Sequence, residues 1–250
     1  MGAAIASGIG QALSCLILLS HFFRRKGKLR LGRFCFSGRL CLQIARRGIP
    51  EFFTQMSQTI TIFIYNILAL KYLGEMGVSA YGVVCYLLEI VIACFIGVSQ
   101  GIQPLISYSH GERRPDREYY FFRLGLIFNI ILAVAVYILL AVLGEDISLI
   151  FNPDTTLSKM VANNLLIYGV SFVFAAVNIV FTTYYLAVKR TTRAILIAAS
   201  RSFVLNTLCI IARPLLFGRQ ALWTGIVVSE LLLAIICLLT RPRRAARQPE

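Results

Sequence analysis

The chain has 250 residues, of which 58% are hydrophobic and only 14% charged, with a mean hydropathy of +0.77 and a formal charge of +14. So few polar side chains cannot solvate the surface of a water-soluble globule, and that class is excluded. The cations must therefore be explained by where they fall along the chain.

Apolar stretches run roughly over 3–23, 47–70, 80–107, 121–143, 161–188, 192–212 and 220–240. A helix of about 20 apolar residues crosses a hydrocarbon core, so each stretch is a candidate span and the fold class expected is an all-α membrane protein with about seven transmembrane helices. The first stretch carries no cation before it, which argues for a true span over a cleaved leader. Nine Lys and Arg lie in 24–47, four at Arg113, Arg114, Arg117 and Arg123, four at Lys189, Arg190, Arg193 and Arg201, and four in 241–247. The opposite gaps hold Lys71, Lys159, Arg213 and Arg219, beside Glu145, Asp146 and Asp154. Cations in short loops are retained on the cytoplasmic side, so a multi-pass plasma-membrane protein with a cytoplasmic C-terminus and an external Met1 is expected. The same rule explains the +14 without nucleic acid, for which no fold motif is present. Within 24–47, LRLGRFCFSGRLCLQIARR reads either as an amphipathic helix at the headgroups or as a plain connecting arm.

Chemistry-bearing patterns are sparse. The seven cysteines form no C-x-x-C pair, His21 and His110 are far apart, and there is no Gly-rich phosphate loop, HExxH or Ser/His/Asp set. An enzyme, a metal site and a bound cofactor are not expected. Polar residues inside the spans carry the information, because a side chain that dislikes lipid faces protein or a water-filled path. At 100° per residue, Glu51, Gln55, Gln58, Thr59, Tyr65 and Asn66 share one face of the second stretch, with Phe53, Met56, Ile60, Phe63, Ile64 and Ile67 opposite. The third stretch gathers Glu89, Gln100, Gln103 and Ser107, with Gly97, Gly101 and Pro104 beside them as a close-packing face. The fifth lines up Asn164, Tyr168, Ser171, Asn178, Thr182 and Tyr185. Three polar stripes suggest a shared hydrated cavity; the other reading is interhelical hydrogen bonding, worth about 0.6 kcal/mol per contact. Glu89 is read as the acid deepest from either end, Glu230 as a packing-network residue, and Glu51, after Pro50, as a first-turn carboxylate favoured by the helix dipole. Tyr65, Tyr86, Tyr108, Tyr168 and Tyr185 would suit flat organic cations.

These residues carry a resemblance. Gly48-Ile49-Pro50 with Gln55 and Tyr65-Asn66, then Gly97-x-x-x-Gly101-x-x-Pro104-Leu105-x-x-Tyr108-x-x-Gly111, then Asn178-Ile179-Val180 with Tyr184-Tyr185, and finally Gly218, Trp223 and Glu230, resemble the C-terminal lobe of multidrug and toxic compound extrusion (MATE) transporters. The resemblance implies one six-helix lobe over 47–240, preceded by the last helix of the other lobe (1–23) and a basic cytoplasmic connector (24–46), and followed by a basic tail (241–250). It also implies secondary active efflux of drugs or organic cations by Na⁺- or H⁺-coupled antiport with alternating access. The partners implied are membrane lipid, a small organic substrate, and a missing N-terminal lobe or another chain supplying it. The alternative is an orphan or truncated lobe with no transport activity alone. Where the family's lobe can carry an acid after the opening proline this chain has Gln58, which cannot exchange a proton. The cavity residues expected are therefore Gln55, Gln58, Tyr65, Asn66, Glu89, Gln100 and Asn178, with Pro50, Gly97, Gly101, Pro104, Tyr108, Gly111, Trp223 and Glu230 as structural signature.

Overall fold

In the computed structural model, residues 2–23, 37–151, 155–200 and 205–240 are described, and among them there is helix and no strand. The elements are α1 (Gly2–Phe23), α2 (Gly38–Gly111), α3 (Pro115–Phe151), α4 (Thr155–Ala187), α5 (Thr191–Ala199), α6 (Asn206–Phe217), a 3-10 turn (Arg219–Thr224) and α7 (Gly225–Leu239). The chain divides into two units, Met1–Gln43 and Ile44–Glu250. In the first, α1 is mainly apolar, with Ile5, Ile9, Leu13, Leu16 and Ile17 exposed. Of the LRLGRFCFSGRLCLQIARR stretch weighed as an amphipathic helix, 29–36 lies outside the described residues, and helix is described from Gly38 onward.

The stretches expected at 47–70 and 80–107 form the two separate arms of α2, whose residues up to Gln43 belong to the first unit and the rest to the second. Helix α2 begins at Gly38 and passes through Pro50, which is therefore interior and not in a first turn. The chain reverses inside it at Gly74, with φ 73° and ψ −166°. Tyr65 and Tyr81 would stand roughly 24 Å apart on a straight helix at 1.5 Å per residue, yet their rings stack with centroids 4.1 Å apart. Only glycine adopts that backbone region without strain of about 1–3 kcal/mol. Gly218, with φ 85° and ψ 180°, breaks the chain in the same way between α6 and α7. Space is no obstacle at either site, since a Cβ would meet nothing within 4 Å. Gly74→Ala and Gly218→Ala are each expected to lower stability by about 1–3 kcal/mol through backbone strain alone, read as a lower melting temperature in detergent.

Helix α4 is central: it packs on α3, α5, α7 and the 3-10 turn. Of its most apolar window 67% is buried, against 17% for α3. The outer face of α3 shows why lipid is the solvent, because Phe128, Ile131, Ile138 and Val142 are all exposed and form a patch that water would not tolerate. Thr59–Gly111, Pro115–Leu149, Thr155–Ala187 and Ala221–Leu239 are each long and apolar enough to cross a membrane, the first of them folding back at Gly74. One apolar core joins Tyr65, Tyr81, Phe95, Phe172, Leu222 and Trp223; a second joins Phe122, Phe181, Tyr184, Tyr185 and Leu233. Among the described residues, nothing packs closely on the expected small-residue face. Gly97 and Gly101 are exposed, and a Cβ on either would meet nothing within 4 Å.

Helices α2 and α4 end alike. After α2, Arg113 takes φ 56° while the amide of Arg114 donates to Ser109 O at 3.0 Å; after α4, Lys189 takes φ 58° while the amide of Arg190 donates to Tyr185 O at 2.9 Å. That six-to-one bond satisfies a last-turn carbonyl and stops the helix. The two turns share one end of the bundle. Glu118 of α3 accepts from Tyr184 Oη at 2.5 Å and pairs with His110 Nδ1 at 2.9 Å, and Ser107 Oγ donates to Ala187 O at 3.3 Å.

Candidate functional site

Between the two arms of α2 on one side and α4, α5, α6 and α7 on the other lies a cavity of about 450 Å³. Its walls follow from helical periodicity. From the second arm of α2, residues 82, 85, 86, 89, 92, 96, 100 and 103 face inward, and from α4 residues 168, 171, 172, 175, 179, 182 and 183 do so, each set one stripe of a helix. Gln55, Thr61, Ile62 and Asn66 come from the first arm, and Asn206, Ile226 and Glu230 close the far side. Aromatic and aliphatic surface thus alternates with amides, hydroxyls and two carboxylates, Glu89 and Glu230. No Lys, Arg or His is among the described lining residues.

Polar groups behind and within the wall are bonded across helices. Asn178 Nδ2 donates to Glu230 Oε2 at 2.8 Å and to Glu230 O at 3.1 Å, joining α4 to α7. Ser229 Oγ donates to Asn206 Oδ1, and Asn206 Nδ2 donates to Thr61 Oγ1 at 3.3 Å, carrying the connection to α6 and the first arm of α2. Asn66 and Thr182 turn back to their own helices, donating to Ile62 O at 2.9 Å and Asn178 O at 2.9 Å. At the end of the cavity Tyr81 also lies against Trp223, and Tyr65 Oη donates to Leu222 O at 2.8 Å, so this aromatic group is locked to the 3-10 turn.

The structure brings Gln55, Asn66, Glu89 and Gln100 together on the cavity, with Gln103, Tyr168, Ser171 and Thr182 from the expected stripes. Two residues read as lining do not line it. Tyr65 is fully buried in the aromatic group, because its ring stacks on Tyr81 and its hydroxyl is taken by the Leu222 carbonyl. Asn178 is 1% exposed and points its amide at Glu230. The side chain of Gln58 lies outside the described residues. The two acids on the wall differ in exposure: Glu89 is exposed, whereas Glu230 is only 3% exposed. Of the signature residues, Tyr108 is exposed and Trp223 buried, while Pro104 and Gly111 lie within the last turns of α2. Asn206 was passed over in the sequence, where a lone Asn in an otherwise apolar stretch was the available signal.

Fold and cavity together define an all-α, multi-pass membrane protein whose helices surround a small-molecule-sized space. The family model described as MatE matches residues 50–211, and the chain belongs to that family. It is similar to the multidrug export protein MepA of Staphylococcus haemolyticus (strain JCSC1435), 24% identical over 248 residues covering 95% of this chain and 51% of the relative. It is likewise similar to MepA of Staphylococcus aureus (strain MRSA252), 22% identical, covering 96% and 52%. The chain thus spans about half the length of these relatives. Among solved structures, an outward-facing multidrug resistance MATE family transporter of the MOP superfamily superposes with a TM-score of 0.85 at 18% identity, covering 95% of this chain and 54% of that one. A MOP superfamily transporter from Pyrococcus furiosus gives 0.85 at 17% identity, with 95% and 54% covered. At such identities the likeness speaks for the fold.

Proposed function

We propose that this lobe forms one side of the substrate path of a secondary active exporter, moving drugs or organic cations by alternating access coupled to Na⁺ or H⁺. The observation that carries this is the cavity: two carboxylates, aromatic walls and no cationic side chain among its described lining favour a flat, positively charged organic molecule. The naming of the relatives as multidrug export proteins supports the same class. The alternating cations support a cytoplasmic C-terminus in the plasma membrane. A facing lobe, from a longer chain or a separate one, would complete the path, since alternating access rocks one repeat against another. The coverage of about half of MepA favours a second reading in which this lobe is silent alone and works only against such a partner.

Ethidium accumulation in efflux-deficient bacteria tests both readings, with the chain expressed alone and together with the N-terminal half of MepA. Export in either case supports the transport reading, and export only on co-expression supports the dependent lobe. Glu89→Gln is expected to slow that export about fivefold to tenfold by removing a charge from the wall, whereas Lys159→Ala, on an exposed position away from the cavity, leaves it unchanged. Equal export by Glu89→Gln and the parent chain would remove Glu89 from the site.

A further inference from the structure

The sequence casts Asn178 as a cavity residue and Glu230 as part of a packing network; the geometry exchanges those roles. We propose that Glu230 is the carboxylate that the cavity's cationic occupant touches and that Asn178 is the positioning residue that holds it there, an inference that rests on the transport reading above. Glu230 is 3% exposed, yet it is on the cavity wall, whereas Asn178 is 1% exposed and off it. The Asn178 amide nitrogen grips Glu230 twice, at Oε2 (2.8 Å) and at the backbone carbonyl (3.1 Å), so one side chain fixes both the carboxylate and the turn of α7 that carries it. Its amide oxygen, by contrast, has no hydrogen-bond partner among the described residues, where every side-chain bond of Asn178 goes to Glu230. The neighbouring residue is fixed as well, through Ser229 to Asn206 and from Asn206 to Thr61. Glu230 is one of two carboxylates on a wall that holds no Lys, Arg or His among its described lining residues. Held by a neighbour and preorganised on a buried wall, it matches how binding groups are built.

The test is ethidium binding to the purified full chain, followed by fluorescence alongside thermal melting, for the parent, Glu230→Gln, Asn178→Ala, their double variant, and the exchange Asn178→Asp with Glu230→Gln. Glu230→Gln keeps the shape and should bind ethidium tenfold or more weakly. Asn178→Ala should weaken binding severalfold in the parent and add little in the Glu230→Gln background, because its effect runs through Glu230. The exchange rebuilds an amide–carboxylate bond with the partners reversed, so the melting temperature returns toward the parent's while binding stays as weak as in Glu230→Gln. Binding restored by the exchange, or parent-like binding by Glu230→Gln, overturns the inference and leaves the transport reading standing. A parent chain that binds no ethidium overturns the inference and counts against the transport reading too. Should the exchange fail to fold, Glu230→Gln alone decides.

Discussion

Trp223→Ala is expected to cost the lobe about 3 kcal/mol, seen as a large fall in its melting temperature in detergent. Trp223 is 3% exposed, and its ring centroid lies 5.7 Å from that of Tyr65 and 6.2 Å from that of Tyr81. Truncating it removes the third member of a packed aromatic group and leaves a void that rigid neighbours cannot fill: Tyr65 is tied to Leu222 O, and Tyr81 is stacked on Tyr65 at an interplanar angle of 12°. Large-to-small aromatic changes cost about 3–5 kcal/mol in soluble cores. The lower end applies here, since lipid is as apolar as the core and packing supplies most of the loss. Leu216→Ala is the control: Leu216 is 73% exposed, and its truncation should leave melting unchanged. Equal effects of the two would show that the aromatic group does not hold the arms of α2 to the 3-10 turn.

Gly225→Leu should be the most damaging change at a helix contact, with a loss of about 3 kcal/mol or failure to accumulate folded protein. A Cβ on Gly225 would stand 3.1 Å from Ile210 Cα and 3.2 Å from Cys209 O, and backbone cannot swing away. Helices α6 and α7 meet there at the close range that small residues permit in membranes. Gly125 makes an instructive contrast. A Cβ there would approach only the tip of Ile102, at 2.6 Å from Cδ1, and a rotamer change relieves it, so Gly125→Ala should cost far less. The damage at Gly225 also reaches the cavity, because α7 carries Glu230 little more than a turn further on. Residual folded Gly225→Leu protein should therefore bind ethidium poorly, whereas Gly125→Ala should bind it as the parent does.

The lipid-embedded helical class was legible because it depends on bulk hydropathy, and the inward stripes of α2 and α4 because they depend on a 3.6-residue period. What one period cannot give is the partner of a face. Tyr65 shares its stripe with Gln55 and Asn66, and only the reversal at Gly74 turns that stripe toward Tyr81 and the 3-10 turn. Sequence position likewise ranked Glu89 as the deeper acid, since depth along a helix is readable but the packing of α4 on α7 around Glu230 is not. The reversal between 47–70 and 80–107 was legible from the gap in hydropathy, but its position at Gly74 was not, being marked by one glycine among many. Gly97 and Gly101 show the converse: a pattern that promises helix contact meets no neighbouring helix among the described residues.

The matched turns after α2 and α4 carry a consequence for how the lobe can move. Each places a residue in the left-handed region, where glycine would be easiest, and each spends that position on a cation, Arg113 or Lys189, with Arg114 and Arg190 next to it. Drawing one such charge to the bilayer centre costs about 2.5–3.5 kcal/mol. Arg113→Gly or Lys189→Gly would relax the backbone and at the same time lower that barrier, with Arg114 or Arg190 left to hold the rest of it. The residues that stop the two helices therefore also act as anchors, confining α2 and α4 to tilting in place while opposing any slide along the membrane normal.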